Sequence, residues 1–419
     1  MAKQELTFGI VLSGGGARGA YEAGVVHYLR TALPASVRNR AFQLYCGSSV
    51  GGLNSCFLAS HAENPQAQGT LIRKAWENVR QENIYRRDLA AIARLLTRSV
   101  TGMTVNLLRR TPGEGETSGG IHFQGLVDTS PFPKFLQRMV AWRKMHENIE
   151  RKIVHGVSLT LTNMHSSRLE FFIHKHESVP YNGDYVVRFG PVDWRHVMAG
   201  AAIPILFPPV EIGGIHYADG GLRLNTPMSP AIHMGADRVL VVGMHDPHMG
   251  MTNGQTSQPN APTTPPTLGE IFGTILSSIF LDRLEYDIKQ MTRINRVIEW
   301  AEAVYGKDFL TRINTWLRKE GIEGDVASRG LKRLKVFAIS PSRDVRQIFG
   351  EVLSSPSGLR GFSAFEKMLL KLLDVDMHRG QEFLSYFLFL PDYLKTLCQL
   401  GYDDAKARHD ELADFLAEA

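Results

Sequence analysis

The chain is poor in cysteine: Cys46, Cys56 and Cys398 are its only three among 419 residues. They form no C-x-x-C pair and no metal-ligand spacing. That excludes a disulfide-stapled scaffold and points to a reducing compartment, the cytoplasm. Runs of five basic residues are missing as well, and 47 Lys and Arg against 42 Asp and Glu leave a net charge of only +5. No nucleic-acid partner is expected, and so mild a bias is compatible at most with peripheral docking on an anionic membrane. Long apolar runs are also lacking. The longest such region, Val197 to Ile215, holds Pro204, Pro208, Pro209 and Glu211, whereas a spanning helix needs roughly 20 apolar residues without breaks. The start, Met1-Ala2-Lys3-Gln4-Glu5, leads into a strand-like segment and not into the apolar stretch of a secretory signal. The expectation is a cytoplasmic protein, soluble or peripheral on a membrane, with no signal peptide or transmembrane segment.

What is present is ordinary globular composition, 43% hydrophobic and 21% charged, at a length that can bury a substantial core. The first third alternates strand, turn and helix. Leu6 to Leu12 is an apolar run that ends at Ser13-Gly14-Gly15-Gly16, and Ala20 to Leu33 then reads as a helix apolar on most sides. Phe42 to Cys46 is a second strand, turning at Gly47 into a small-residue helix from Val50. Further strands are expected at Ile153 to Asn163, Leu169 to His174, Arg238 to Met244 and Lys335 to Ile339. Such alternation predicts an α/β fold, a largely parallel sheet with helices on its faces. Thr111 to Gly120 and Pro247 to Pro266 read as flexible, Leu268 to Val304 and Arg346 to Ala419 as helical.

Three glycine-rich blocks carry the chemistry. Gly47-Ser48-Ser49-Val50-Gly51 is a G-x-S-x-G between a strand and a helix. A nucleophilic serine on so sharp a turn needs small neighbours, and the helix start beyond it directs N–H groups at developing negative charge. By itself the pentapeptide also fits a simple turn. Gly14-Gly15-Gly16-Ala17-Arg18-Gly19 follows the first strand. A dinucleotide site would want an acidic residue about 20 positions on, and Arg38 to Cys46 has none; a P-loop would want Lys then Ser or Thr where Ala20 and Tyr21 stand. The readings left are an oxyanion hole of convergent backbone amides and a tight packing turn, with Arg18 bracing the loop or attracting an anionic head group. Asp219-Gly220-Gly221 alone is a turn signal. Ala199 to Pro209 before it, small residues and prolines, suits an apolar acyl pocket.

In this order the three blocks, with Ala201-Ala202-Ile203-Pro204 and Phe207-Pro208-Pro209 ahead of the aspartate, resemble the motifs of the patatin-like phospholipases. The resemblance covers roughly Leu6 to Met244. It implies a three-layer α/β/α core with additional C-terminal helices and a Ser–Asp dyad in place of a triad. Carried over by motif, Ser49 is the nucleophile and Asp219 the base, flanked by Gly220 and Gly221. Gly47, Ser48, Val50 and Gly51 form the elbow, and Gly14, Gly15, Gly16, Ala17, Arg18 and Gly19 the oxyanion loop. The implied function is a serine lipid acyl hydrolase acting on phospholipid or another acyl-ester lipid, without metal or organic cofactor. A silent lipid-binding scaffold on the same fold is the rival reading. The implied organisation is a catalytic core over 1–246, a flexible loop over 247–267, and a helical extension over 268–419 that returns one strand near 335–340 to the core. His216 and His245 are read as surface or packed histidines, not third catalytic members. The Leu268 to Ile279 stripe and the aromatic-rich Phe383 to Tyr393 segment read as core packing first, and as a lid or membrane face second.

Overall fold

The computed structural model describes residues 6–86, 125–244, 271, 274, 284–322, 326–327, 331–355, 367 and 381–417. The two expected flexible segments, His245 and most of the Leu268 to Ile279 stripe lie outside them.

Among the described residues nine strands form one mixed sheet in the order β5 (Val186–Phe189), β4 (Leu169–Lys175), β3, β2, β1, β8, β9, with β7 (Ile215–Asp219) on β3 and β6 (Val210–Ile212) on β7. The centre is parallel throughout: β3 (Gly156–Asn163), β2 (Leu44–Ser48), β1 (Phe8–Leu12), β8 (Arg238–Val242) and β9 (Lys335–Ile339). β1 is Phe-Gly-Ile-Val-Leu and wholly buried, the near-continuous apolar run of a strand covered on both faces. Its alternate residues divide between two cores. Phe8, Ile10 and Leu12 join the larger one, while Val11 joins the other with Leu44, Cys46, Val239 and Val241.

Helices cover both faces. Against the larger core lie α1 (Ala20–Thr31), α2 (Val50–Ser60), α3 (Pro65–Glu77), α4 (Phe132–Met139), α5 (Trp142–Glu150) and α6 (Trp194–Gly200). On the opposite face, α7 (Met228–His233) contributes Met228 and Ala231, and α8 (Leu284–Tyr305) contributes Leu284. The result is the expected α/β/α arrangement. After α9 (Phe309–Lys319) and β9, helices α10 (Val345–Ser354), α11 (Gln381–Phe387), α12 (Pro391–Ala407) and α13 (His409–Ala417) return to the larger core. The contact between α1 and α12 is backbone to backbone. A Cβ on Gly24 would lie 1.9 Å from the Cys398 carbonyl oxygen, and one on Gly401 would lie 2.1 Å from that of Tyr21.

Two differences from the sequence reading bear on the site. β3 begins at Gly156 and not Ile153, because the amides of Ile153 and Val154 bond to the Asn148 carbonyl in the turn that ends α5. A hairpin of β6 (Val210–Ile212) and β7 (Ile215–Asp219) was not anticipated. It turns on Gly213 and Gly214, with φ of +60° and +79°, values suited to a two-residue turn of the kind glycine favours.

Candidate active site

Strand register brings the site together. Ser48, the last residue of β2, pairs with Thr160 on β3; the next β3 residue, Leu161, pairs with Asp219 at the end of β7. The Asp219 amide donates to the Ala202 carbonyl oxygen at 3.0 Å, and Thr162 Oγ1 donates to the Asp219 carbonyl oxygen at 2.9 Å. Gly220 is required by closeness, since a Cβ there would sit 2.2 Å from the Thr160 carbonyl oxygen.

Between β2 and α2, Ser49 takes φ +51° and ψ −125°, a region non-glycine residues rarely occupy. The elbow closes only because its neighbours lack side chains. A Cβ on Gly47 would lie 2.2 Å from backbone atoms of Gly51, and one on Gly51 would lie 2.2 Å from the Leu12 carbonyl oxygen. Ser49 is thereby held at the start of α2 with its hydroxyl turned to Asp219: Oγ donates to Oδ2 at 2.6 Å. The other oxygen, Oδ1, accepts the Gly221 amide at 2.8 Å. These two residues, 170 positions apart, are the ones the motifs singled out. Among the described residues no histidine hydrogen-bonds to either of them, and His216 lies exposed on the β6–β7 hairpin.

Asp219 is fully buried. Loss of water pushes its carboxyl from the usual 3.8 up to about 7, against the opposing pull of the hydrogen bonds from Ser49 and the Gly221 amide. A carboxylate in this setting binds a proton far more avidly than one in water. The thiols of Cys46 and Cys56 are pushed up by burial alone, which makes them inert packing groups.

The glycine loop lies beside Ser49. A Cβ on Gly14 would meet Asn225 Oδ1 at 2.4 Å and Ser49 Cβ at 3.1 Å. The Gly14 amide donates to the Asn225 carbonyl oxygen at 3.2 Å, and Asn225 Nδ2 returns a bond to the Gly14 carbonyl oxygen at 3.3 Å. Ser13 and Thr226 share a hydroxyl bond beneath the loop. The Gly14 and Arg18 amides are thus committed, the latter to the Gly15 carbonyl oxygen at 3.0 Å. Gly16, φ +55°, borders the cavity that Ser49 faces. Arg18 braces and does not reach the cavity: it is 4% exposed and packed against α11.

Ser49 opens onto a narrow apolar cavity of about 40 Å³, walled by Leu53, Trp76, Phe132, Met139, Phe207 and Phe387 among others. Behind it, Trp76 Nε1 donates to Asn54 Oδ1 at 2.9 Å, and Asn54 Nδ2 donates to Glu22 Oε2 at 2.7 Å. Burial pushes the Glu22 carboxyl well above the usual carboxylate range. The sequence reading missed Asn225, Thr226, Thr160 and Trp76. Asn225-Thr226-Pro227 begins four residues after the aspartate motif, a polar pair ahead of a proline, and was the one available signal. Part of the Phe383 to Tyr393 segment packs as expected, yet its Tyr386, Phe387 and Phe389 also wall this cavity. Among the described residues no cluster of His, Cys, Asp and Glu is placed to hold a metal, and no helix is long and apolar enough to cross a membrane.

An α/β/α fold with a strained serine at a strand-to-helix elbow and a carboxylate beside it defines a hydrolase-like architecture. Residues 10–232, more than half of the chain, match the family described as patatin-like phospholipase, and the chain belongs to that family of acyl-ester hydrolases. Solved structures with similarity include VipD from Legionella pneumophila, at 14% identity over 98% of this chain and 67% of that one, TM-score 0.33. Human GIVD cytosolic phospholipase A2, in complex with methyl gamma-linolenyl fluorophosphonate, is 11% identical over 98% of this chain and 59% of that one, TM-score 0.39. ExoU in its complex with SpcU, from the type III secretion system of Pseudomonas aeruginosa, is 14% identical over 97% and 76%, TM-score 0.28. The chain thus spans about two thirds of the length of the first and 59% of that of the second. No curated protein matches the sequence.

Proposed function

We propose that Ser49 and Asp219 act as a catalytic dyad that hydrolyses an acyl ester of a phospholipid or related lipid. The observation that carries this reading is the 2.6 Å bond from Ser49 Oγ to Asp219 Oδ2 at the edge of an apolar cavity. Serine is a weak nucleophile until a base within hydrogen-bond reach takes its proton, and a carboxyl raised to about 7 is matched to that task at neutral pH. Ser49 Oγ attacks the ester carbonyl carbon as its proton passes to Asp219. The carbonyl oxygen becomes an oxyanion, which meets the Gly15 and Gly16 amides and the N-terminus of α2; removing one such donor typically costs about 10²–10³ in rate. Asp219 then gives the proton to the departing alcohol oxygen, leaving the acyl group esterified to Ser49. Water, losing a proton to Asp219, attacks that ester, and Asp219 returns the proton to Ser49 Oγ as the acyl–oxygen bond breaks, which releases the fatty acid and restores the dyad.

The aliphatic and aromatic walls suit an acyl chain, but about 40 Å³ has room for only a few waters. A chain enters only if wall side chains move. Contact with the surface of aggregated substrate is the natural occasion for that movement, and peripheral membrane contact belongs to this reading. The test is fatty-acid release from phospholipid vesicles by wild type and by Ser49→Ala. Release should vanish in the variant while its circular dichroism stays unchanged, and release that persists refutes the assignment. A silent lipid-binding scaffold would instead leave Ser49 unmodified by a fluorophosphonate.

A further inference from the structure

The glycine loop is gripped from behind by α11, a helix outside all three motifs. The Arg18 guanidinium lies 3.6 Å from the Tyr386 ring centroid. Its Nη2 donates to Glu382 Oε1 at 3.0 Å and to Ser385 Oγ at 2.6 Å, while Nε donates to Ser385 Oγ at 3.2 Å. Glu382 and Ser385 stand three residues apart, so one helical face presents both acceptors to the planar fork. Glu382 Oε2 is in turn held by Arg346 Nε at 3.1 Å, and Arg346 is fixed by Asp344 at the N-terminus of α10. Two residues before Arg18 the contact becomes backbone on backbone: a Cβ on Gly16 would lie 2.2 Å from the Tyr386 carbonyl oxygen.

A buried guanidinium is costly to desolvate and gains little net stability from its partners. A hydrophobic side chain of similar length would pack the same space. What the fork adds is a fixed geometry for the loop that ends at Gly15 and Gly16. We infer that Arg18 is a positioning residue for the amides that receive the oxyanion, and that Glu382 and Ser385 are the clamp that sets its place. The inference rests on the catalytic reading above. It makes the C-terminal segment part of the site, although that segment lies more than 360 residues away in sequence.

The clamp acts on the transition state, since ground-state binding of a short ester needs no tightly placed amide. Ser385→Ala and Arg18→Met should therefore lower kcat for p-nitrophenyl butyrate with KM unchanged. The expected fall is about 10- to 100-fold, the range for a displaced oxyanion donor. Phosphonylation of Ser49 should slow in proportion, the melting temperature of Ser385→Ala should stay near wild type, and Ser385→Thr, which keeps the hydroxyl, should restore kcat. Wild-type kcat in both Ser385→Ala and Arg18→Met, or a loss no larger than the loss of folded protein, overturns the inference. A wild type that neither hydrolyses ester nor labels at Ser49 would defeat the catalytic reading alone. The clamp is then read from amide hydrogen exchange over residues 13–19, which rises in Ser385→Ala if α11 holds the loop and stays at wild-type level if it does not.

Discussion

Replacing Asp219 with Asn removes a titrating group from the buried floor of the site while keeping its outline. The amide oxygen still accepts from the Gly221 amide, and the amide nitrogen takes the place of the oxygen that faces Ser49. Burial has raised the folded carboxyl to about 7, against 3.8 unfolded. At about 1.4 kcal/mol per pH unit, that separation corresponds to about 4 kcal/mol. Its sign follows from proton uptake. Between the two values the folded state holds the proton that the unfolded state has released, so this contribution is complete below 3.8 and is lost as pH rises through about 7. Urea unfolding of wild type and Asp219→Asn at a series of pH values isolates it, because every other group cancels in the difference. Wild type should lose about 4 kcal/mol relative to the variant on going from acid to pH 8, most of it between pH 4 and 7. Activity should run the opposite way, with kcat/KM rising through about pH 7 as the base ionises. Stability curves that stay parallel across this range would refute a desolvated carboxyl at this position.

Other perturbations test the parts separately. Gly51→Ala places a methyl 2.2 Å from the Leu12 carbonyl oxygen, a backbone atom with nowhere to move; a loss of about 3 kcal/mol or more is expected in denaturant unfolding. Glu22→Gln, which keeps the outline of a carboxyl whose charged form burial disfavours, should change stability by no more than about 1 kcal/mol. Glu22→Ala should cost about 2 kcal/mol or more in the same assay, because it removes the acceptor that Asn54 Nδ2 holds at 2.7 Å and leaves a cavity. Phe389→Ala widens the acyl cavity and should raise kcat/KM for a dodecanoyl ester relative to a butanoyl ester by about 10-fold; an unchanged ratio would remove Phe389 from the cavity's limiting wall.

The parallel centre was legible because buried parallel strands are written as short apolar runs. Phe8–Leu12, Arg238–Val242 and Lys335–Ile339 each form a strand where such a run stands. The elbow was legible because its glycines answer to local geometry. The β6–β7 hairpin escaped notice although Gly213-Gly214, between Ile212 and Ile215, is a two-residue turn signal; both flanking strands are short and only partly buried, and their pattern is weak. Val186–Phe189, β5, was missed for the same reason: this exposed edge strand has no apolar run. Arg18 illustrates a different limit. Its sequence neighbours left bracing and anion attraction open, because its partners Glu382 and Ser385 come from the far end of the chain. Nor does any local pattern reveal that Phe387 and Phe389, from the far end of the chain, wall the cavity that Ser49 faces.

The pairing of Ser49 with Asp219 is tested most directly by mass spectrometry of the protein after exposure to a fluorophosphonate, as wild type and as Asp219→Asn, at pH 6 and pH 8. A single adduct on Ser49 is expected in wild type, forming faster at pH 8, with little or none in the Asn variant at either pH. An adduct on a different residue, or equal labelling of Ser49 with and without the carboxylate, would contradict the account.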